Sequence, residues 1–330
     1  MVVYLIKRVL GGVGVLMVMT FIVFCLQSVI PADPARVMAG PTAPAATVEA
    51  IREQLGLNEP VVVQYFRFLS RLADGDLGIS VRTRQPVAAD VLQYLPATLE
   101  LAFVSILLGL ALSSLMALLQ FTLPRSTAIR LAIVGVGSTP IFLTALLLAY
   151  FFWFLLDWLP GAGRLGFRNF SGPTGFHLLD GLLVGRPDIS LDALAHVILP
   201  ALALALPIAV AVGRSLNSAL HEVMKQTYIR TARGKGLSET RVLLRHGLRN
   251  AATAPLSIMG MQIALILGNL LVVERVFAWP GLGLYTVQAL ASADLPVVLG
   301  VTLVFGVFYI LAAILIEICQ SLADPRIGLA

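Results

Sequence analysis

Charge is scarce in this chain of 330 residues: 12% are Asp, Glu, Lys or Arg, about half the ~25% usual in soluble domains. With 58% of residues hydrophobic, so few charges do not cover a water-facing surface, and a soluble globular fold is not expected. Cysteine is rarer still. Cys25 and Cys319 lie in apolar runs near opposite ends, which excludes a disulfide framework or a thiolate cluster and leaves both as small buried hydrophobes. The histidines, His177, His196, His221 and His246, show no paired ligand spacing. Catalytic signatures are missing as well. There is no G-x-S-x-G, no S-x-x-K and no P-loop, because Gly234-Lys235 is followed by Gly236 in place of Ser or Thr. "HEVMK" at His221–Lys225 opens like a zinc-protease helix, but Lys225 stands where the second His is required. No enzyme, cofactor site or metal site is expected in this chain.

Long apolar runs take the place of those features. Lys7 and Arg8 precede a run from Val9 to about Ile30, longer than the apolar core of a cleaved signal and matching the ~20 residues that cross ~30 Å of hydrocarbon. Further spans are predicted at Thr98–Leu119, Leu131–Leu156, Leu191–Val212, Pro255–Val273 and Leu295–Ile318, making six transmembrane helices in an all-α polytopic membrane protein. The third is long enough to tilt or to end in an interfacial piece. No alternating ten-residue segments of a barrel occur. Short-loop Lys and Arg set the orientation. With the N-terminus inside, Lys7, Arg8, Arg125, Arg130, the eight Lys/Arg from Arg214 to Arg249, and Arg326 all fall inside. The segment from Pro31 to Ala97, with six Arg against seven Asp or Glu, falls outside. Both termini are therefore expected in the cytoplasm.

The outer segment has its own pattern. Thr47 is placed to cap a helix through "VEAIREQL" that stops at Gly56. Pro60 opens "PVVVQYFRFLSRLADG", with Val62, Phe66, Leu69 and Ala73 on one face. That helix either lies on the membrane surface or packs against the helix ends.

Inside the spans, ionisable groups are confined to the ends, at Glu100, Asp157, Asp192, Glu274, Arg275 and Glu317. Ion-driven transporters keep such groups at mid-membrane to bind the coupling ion, so uphill transport here would draw its energy from outside the bilayer. The polar residues that remain are neutral. Gln262 and Asn269 share a face of the fifth helix beside Gly268, and either bond between helices or line a solute path. Pro140 interrupts the third helix among Ser138, Thr139 and Thr144, and Pro200 and Pro207 interrupt the fourth.

The basic character of the chain resides in one segment. Gly213–Ala254 carries eight Lys/Arg against Glu222 and Glu239, a net of 8 − 2 = +6 beside +5 for the whole chain. Leu216, Leu220 and Val223, then Leu244, Leu248 and Ala251, recur at helical spacing, and Leu244 and Leu248 are expected to pack onto the bundle. "GKGLSE" separates the two helices. Gly234 and Gly236 break the first, Ser238 is placed to cap the second, and Glu239 suits its positive end. A topogenic loop explains the charge, and anionic headgroups would also be attracted to it. Docking to a soluble partner accounts for the charge, the turn and the missing energy source together.

At these residues the sequence resembles the inner-membrane permease subunits of ABC importers, whose cytoplasmic loop reads E-A-A, three residues, Gly, nine residues, Ile, one residue, Leu-Pro. Aligned on Gly236, Arg230-Thr231-Ala232 stand for E-A-A, His246 for Ile and Leu248 for Leu, while Arg249 replaces Pro. The variant Y-[IV]-R-T-A-R-x-K-G-L of the dipeptide/oligopeptide/nickel branch fits Tyr228–Leu237 throughout. "GLNEPVVVQY" (Gly56–Tyr65), "GDLGIS" (Gly75–Ser80), "LPATLELA" (Leu95–Ala102), "VERVFAWPGLG" (Val273–Gly283) and "DPRI" (Asp324–Ile327) also look like that branch.

The resemblance implies a type I importer permease fold in which a coupling helix docks on an ATPase. It implies four kinds of partner: a second, related permease subunit, two cytoplasmic ATP-binding subunits that carry ATP and Mg, an extracytoplasmic solute-binding protein, and membrane lipid, with no nucleic acid. On matching positions, Tyr228, Arg230, Thr231, Ala232, Arg233, Gly234, Lys235, Gly236 and Leu237 are the docking candidates. Organisation follows as a first span over 1–30, an outer segment over 31–97, a permease core over 98–318 that includes the loop 213–254, and a tail over 319–330. The solute implied is a di- or oligopeptide, with nickel or a metal–chelator complex as the variant. A stand-alone secondary transporter and a membrane scaffold that recruits a cytoplasmic partner are the readings of other classes.

Overall fold

A computed structural model describes residues 2–27, 34–40, 42–54, 56–167 and 170–323. Among these the regular structure is helical, and an antiparallel bridge between Ile79 and Pro86 is the isolated strand-like pairing. In chain order the helices are α1 (Val2–Gln27), α2 (Pro34–Ala39), α3 (Ala45–Gln54), α4 (Val61–Ala73), α5 (Val87–Thr122), α6 (Thr127–Ser138) and α7 (Ile141–Leu148, continued by a π-helical stretch Ala149–Leu155). There follow α8 (His177–Leu183), α9 (Pro187–Val223), α10 (Thr227–Gly234), the short α11 (Glu239–Arg241) leading into a π-helical stretch Val242–Leu248, and α12 (Arg249–Ala251). The chain closes with α13 (Thr253–Val276), α14 (Leu282–Ala291) and α15 (Leu295–Ala323).

Five helices, α1, α5, α9, α13 and α15, are long and apolar enough to cross a membrane, and the pair α6–α7 makes a sixth span if counted as one. That pair differs from the single run predicted at Leu131–Leu156: it is bent by 112°. The cause is local. Pro140 has no N–H to continue the α6 ladder, and its carbonyl instead starts α7 by accepting from Thr144 N at 3.0 Å. The Thr139 hydroxyl turns back to the Gly135 carbonyl at 2.7 Å.

The centre of the bundle is the α5–α9 pair, against which α13 packs. Ala97, Leu101, Ala203, Leu204, Ile208, Ile266, Leu270 and Trp279 form its dry interior. Small residues allow the close crossing. A Cβ on Gly109 would lie 2.9 Å from Ile208, and one on Gly213 would lie 3.0 Å from the Ser113 carbonyl. On the flank α1 lies along α15, and an Arg8–Glu317 ion pair joins them. Gln320 on α15 also reaches Ser257 near the start of α13, so the ends of α1 and α15 share one end of the bundle with residues 214–253. This is called the elbow end and the opposite one the far end.

Several local expectations change. The first span was predicted to reach Ile30, but the described helix ends at Gln27 and residues 28–33 lie outside the described residues. Residues 324–330, with Arg326 and "DPRI", lie outside them too, while 319–323 continue α15. Thr47 sits inside α3 instead of capping it. On α4 the inward face is Tyr65 and Phe68, packed on Phe24 and Leu299; of the predicted face Leu69 joins them, while Val62, Phe66 and Ala73 are turned out, with Phe66 64% exposed. The Tyr65 hydroxyl decides this: it bonds the Met17 carbonyl at 2.7 Å and the Thr20 hydroxyl at 3.0 Å, drawing that face onto α1.

Candidate functional site

At the elbow end, α10 is amphipathic over a short length. Ile229 and Ala232, three apart, turn inward and meet Val242, Val223, Met224 and Leu237 in a small apolar cluster. The helix then stops in a defined way. Leu237 N donates to Ala232 O at 3.4 Å and Gly236 N donates to Arg233 O at 2.9 Å, the paired bonds of a Schellman motif. Gly236 takes the left-handed conformation this stop requires, with φ of +76°, and Leu237 supplies the accompanying apolar contact. Gly234 is the last helical residue and has ordinary φ.

A charged clasp closes the elbow. Arg233 donates from Nε and Nη2 to the two Glu239 oxygens at 2.7 and 3.0 Å. Those hydrogen bonds hold the Glu239 carboxyl below its usual range and push Arg233 up. Glu239 thus opens α11 as predicted and also ties it back to α10. Ser238 occupies the cap position, yet its side chain makes no capping bond; its carbonyl accepts from Val242 N at 2.9 Å.

The structure separates the nine docking candidates into two sets. Tyr228, Arg230, Thr231, Arg233, Gly234, Lys235 and Gly236 are exposed, with Tyr228 at 42%. Ala232 is buried and Leu237 partly buried, on the inner side of the elbow. The second helix also departs from expectation. Its middle is π-helical, so the inward positions become Val242, Gly247 and Ala251. Leu244 is 58% exposed, against the packing that the α-helical spacing predicted, while Leu248 is partly buried. Among the described residues, Arg230, Lys235, Arg241, Arg245 and Arg249 have no carboxylate within ion-pair distance, which leaves the elbow a positive, rigid projection.

Gln262 and Asn269 sit partly exposed on α13, far along the bundle from the elbow. Neither makes a hydrogen bond to another described residue, so the interhelical bonding role has no partner here.

The far end holds a buried polar lattice that the sequence did not reveal as one unit. Arg164 Nε donates to Glu100 Oε2 at 2.9 Å, and both side chains are buried. The other Glu100 oxygen accepts from Leu178 N at 2.8 Å, and Arg164 also reaches the Gly175 carbonyl. Next to it, Glu274 accepts from the Thr98 hydroxyl at 2.8 Å and from Leu284 N at 3.0 Å. Trp279 Nε1 donates to the Ala97 carbonyl at 3.0 Å. Burial, with the Arg164 charge adding to it, pushes His177 down to about 4. The charge of Glu274 at the end of an apolar run was the available signal; its partners come from α5 and from the first turn of α14. No group of three or more His, Cys, Asp or Glu among the described residues is placed to hold a metal ion.

Comparison with known proteins brings these observations together. Residues 109–329 match the model of the binding-protein-dependent transport system inner membrane component, and residues 1–102 match the N-terminal model of such membrane components. The probable D,D-dipeptide transport system permease protein DdpB of Escherichia coli K12 is 39% identical over 330 residues, covering 98% of this chain and 96% of that one. The glutathione transport system permease protein GsiC of Escherichia coli CFT073 is 34% identical, covering 98% of each. A chain from inward-facing structures of the methionine ABC transporter MetNI has a TM-score of 0.48 at 15% identity over 70% of this chain and 93% of that one. The chain therefore belongs to the binding-protein-dependent transport system inner membrane components, the multi-pass, non-catalytic permease subunits of ABC importers.

Proposed function

We propose that this permease carries di- or oligopeptides inward, and that its α10 elbow is where a cytoplasmic ATPase drives it. Support for the solute comes from the relatives named for a dipeptide and for the tripeptide-like glutathione. The partners in this reading are a second permease chain, two ATPase subunits that hold ATP and Mg, and an extracytoplasmic binding protein. Both termini and the elbow face the cytoplasm, in keeping with the Lys and Arg concentrated at that end. Gln262 and Asn269 offer neutral polar groups to a passing peptide backbone.

The observation that carries the elbow's role is its build. Seven exposed candidates surround a helix stop that is locked from inside by Ile229, Ala232, Leu237 and Val242 and from outside by the Arg233–Glu239 clasp. A projection so fixed transmits a push instead of folding under it. Gly236 supplies the test, because a Cβ there meets no atom of this chain within 4 Å. Asn tolerates the left-handed conformation, so Gly236→Asn keeps the turn while adding bulk on the open side. If a partner's surface approaches closely there, that variant inserts and folds normally but loses ATP-dependent uptake. Wild-type uptake by Gly236→Asn, with loss in Gly236→Val, would reduce the glycine's role to the turn alone.

A further inference from the structure

Between α5, α6 and α9 at the elbow end lies a pocket of about 320 Å³ that none of the preceding roles uses. Its polar side is formed by Arg130, Arg214, His221 and Asn217, and no Asp or Glu lines it. Among the described residues neither arginine has a carboxylate within ion-pair distance. Asn217 brings a buried side-chain oxygen with no hydrogen-bond partner, and its amide, turned over, would present NH₂ to an acceptor. Its other side is apolar, with Leu123 and Val134 both about half exposed beside it.

The level of the pocket is informative. It opens where the membrane-crossing α5 ends at Thr122 and where α6 begins its own apolar course. Phosphate groups of a bilayer lie at this depth, between hydrocarbon and water. Two guanidiniums and an amide match phosphate oxygens, while exposed Leu123 and Val134 match the first carbons of acyl chains. A free phosphate would use the cationic side and leave the apolar side uncovered.

We propose that this pocket is a binding site for an anionic phospholipid, with Arg130 and Arg214 gripping the headgroup phosphate and Leu123 and Val134 bordering its chains. The site is separate from the α10 elbow and does not depend on the role proposed there.

The test uses the full-length chain with whatever subunits co-purify in mild detergent, and phosphatidylglycerol as the probe. Hydrogen exchange is followed on moving the protein from zwitterionic to phosphatidylglycerol-containing micelles. Amides of 126–130 and 214–221 should slow, whereas those of 227–237, which carry Arg230, Arg233 and Lys235, should not. Retained phosphatidylglycerol per chain should fall about fivefold in R130Q and in R214Q and about 25-fold in the double variant, since each substitution removes one direct charge contact to the phosphate, comparable to an exposed ion pair. Arg125→Gln, exposed on the same connection but outside the pocket, should retain the wild-type amount. Unchanged retention in the double variant, or absence of local protection in the wild type, would overturn the site. Equal protection by inorganic phosphate without lipid would overturn the lipid assignment in favour of a free anion.

Discussion

Glu100 and Arg164 are 64 positions apart in the chain and form a buried ion pair, each with a further backbone bond. Their value is conditional. Removing one partner leaves a charge without compensation in a low-dielectric interior, which costs about 3–5 kcal/mol, whereas replacing both with apolar groups is often neutral. Arg164→Met should therefore lower the unfolding temperature in detergent markedly, and Glu100→Met/Arg164→Met should recover much of the loss. Equal instability of the single and double variants would mean that the loss comes from the other contacts of Arg164, among them the Gly175 carbonyl, and not from an unpaired Glu100. Nothing near Arg164 in the sequence marks it. Glu100 was legible as a charge at a span end, but the identity of its partner depends on which remote residue the fold brings to it, here 64 positions along the chain. At the elbow the balance is reversed: Gly236 was legible as a break because few other residues accept its φ of +76°.

At the scale of elements, the membrane-length helices were legible from apolar run length, while the short helices α2, α8 and α14 and the faces of the helices were not. The run of α4 contains enough large apolar residues to offer two faces, and the Tyr65 hydroxyl selected the one that α1 could satisfy. The second elbow helix changed its inward positions when its middle wound as a π-helix. The α5–α9 crossing shows the same dependence on a neighbour. Nothing in the sequence marks Gly109 or Gly213 as a contact, and with the partner helix present each is a point of close approach. A Leu at Gly213 would have to displace the Ser113 backbone, and overpacking of this kind typically costs about 1–3 kcal/mol. Gly213→Leu should lower the thermal stability of the purified chain, while Gly11→Leu on α1, where a Cβ meets nothing within 4 Å, should leave it unchanged. A similar melting temperature for both would show that the crossing relaxes.

For the whole molecule, the arrangement of ends leads to a labelling experiment. Lys235 and the Arg8–Glu317 pair lie at the elbow end, while Arg82 is exposed on the loop before α5, held by Asp294 at the far end. With Cys25 and Cys319 replaced by Ser, Lys235→Cys should react with an impermeant thiol reagent only in inverted vesicles, and Arg82→Cys only from outside intact cells stripped of outer membrane. The opposite pattern would reverse the proposed orientation without disturbing the fold. By itself the sequence determined a helical membrane protein of five or six spans, because run length is a property of order along the chain, and the motif at Tyr228–Leu237 carried the resemblance to importer permeases. Only the tertiary structure decided where the third span bends, which faces turn inward, and how Glu100, Arg164, Thr98 and Glu274 meet. Those outcomes depend on hydrogen-bond and packing partners brought from remote parts of the chain, which spacing within one segment does not encode.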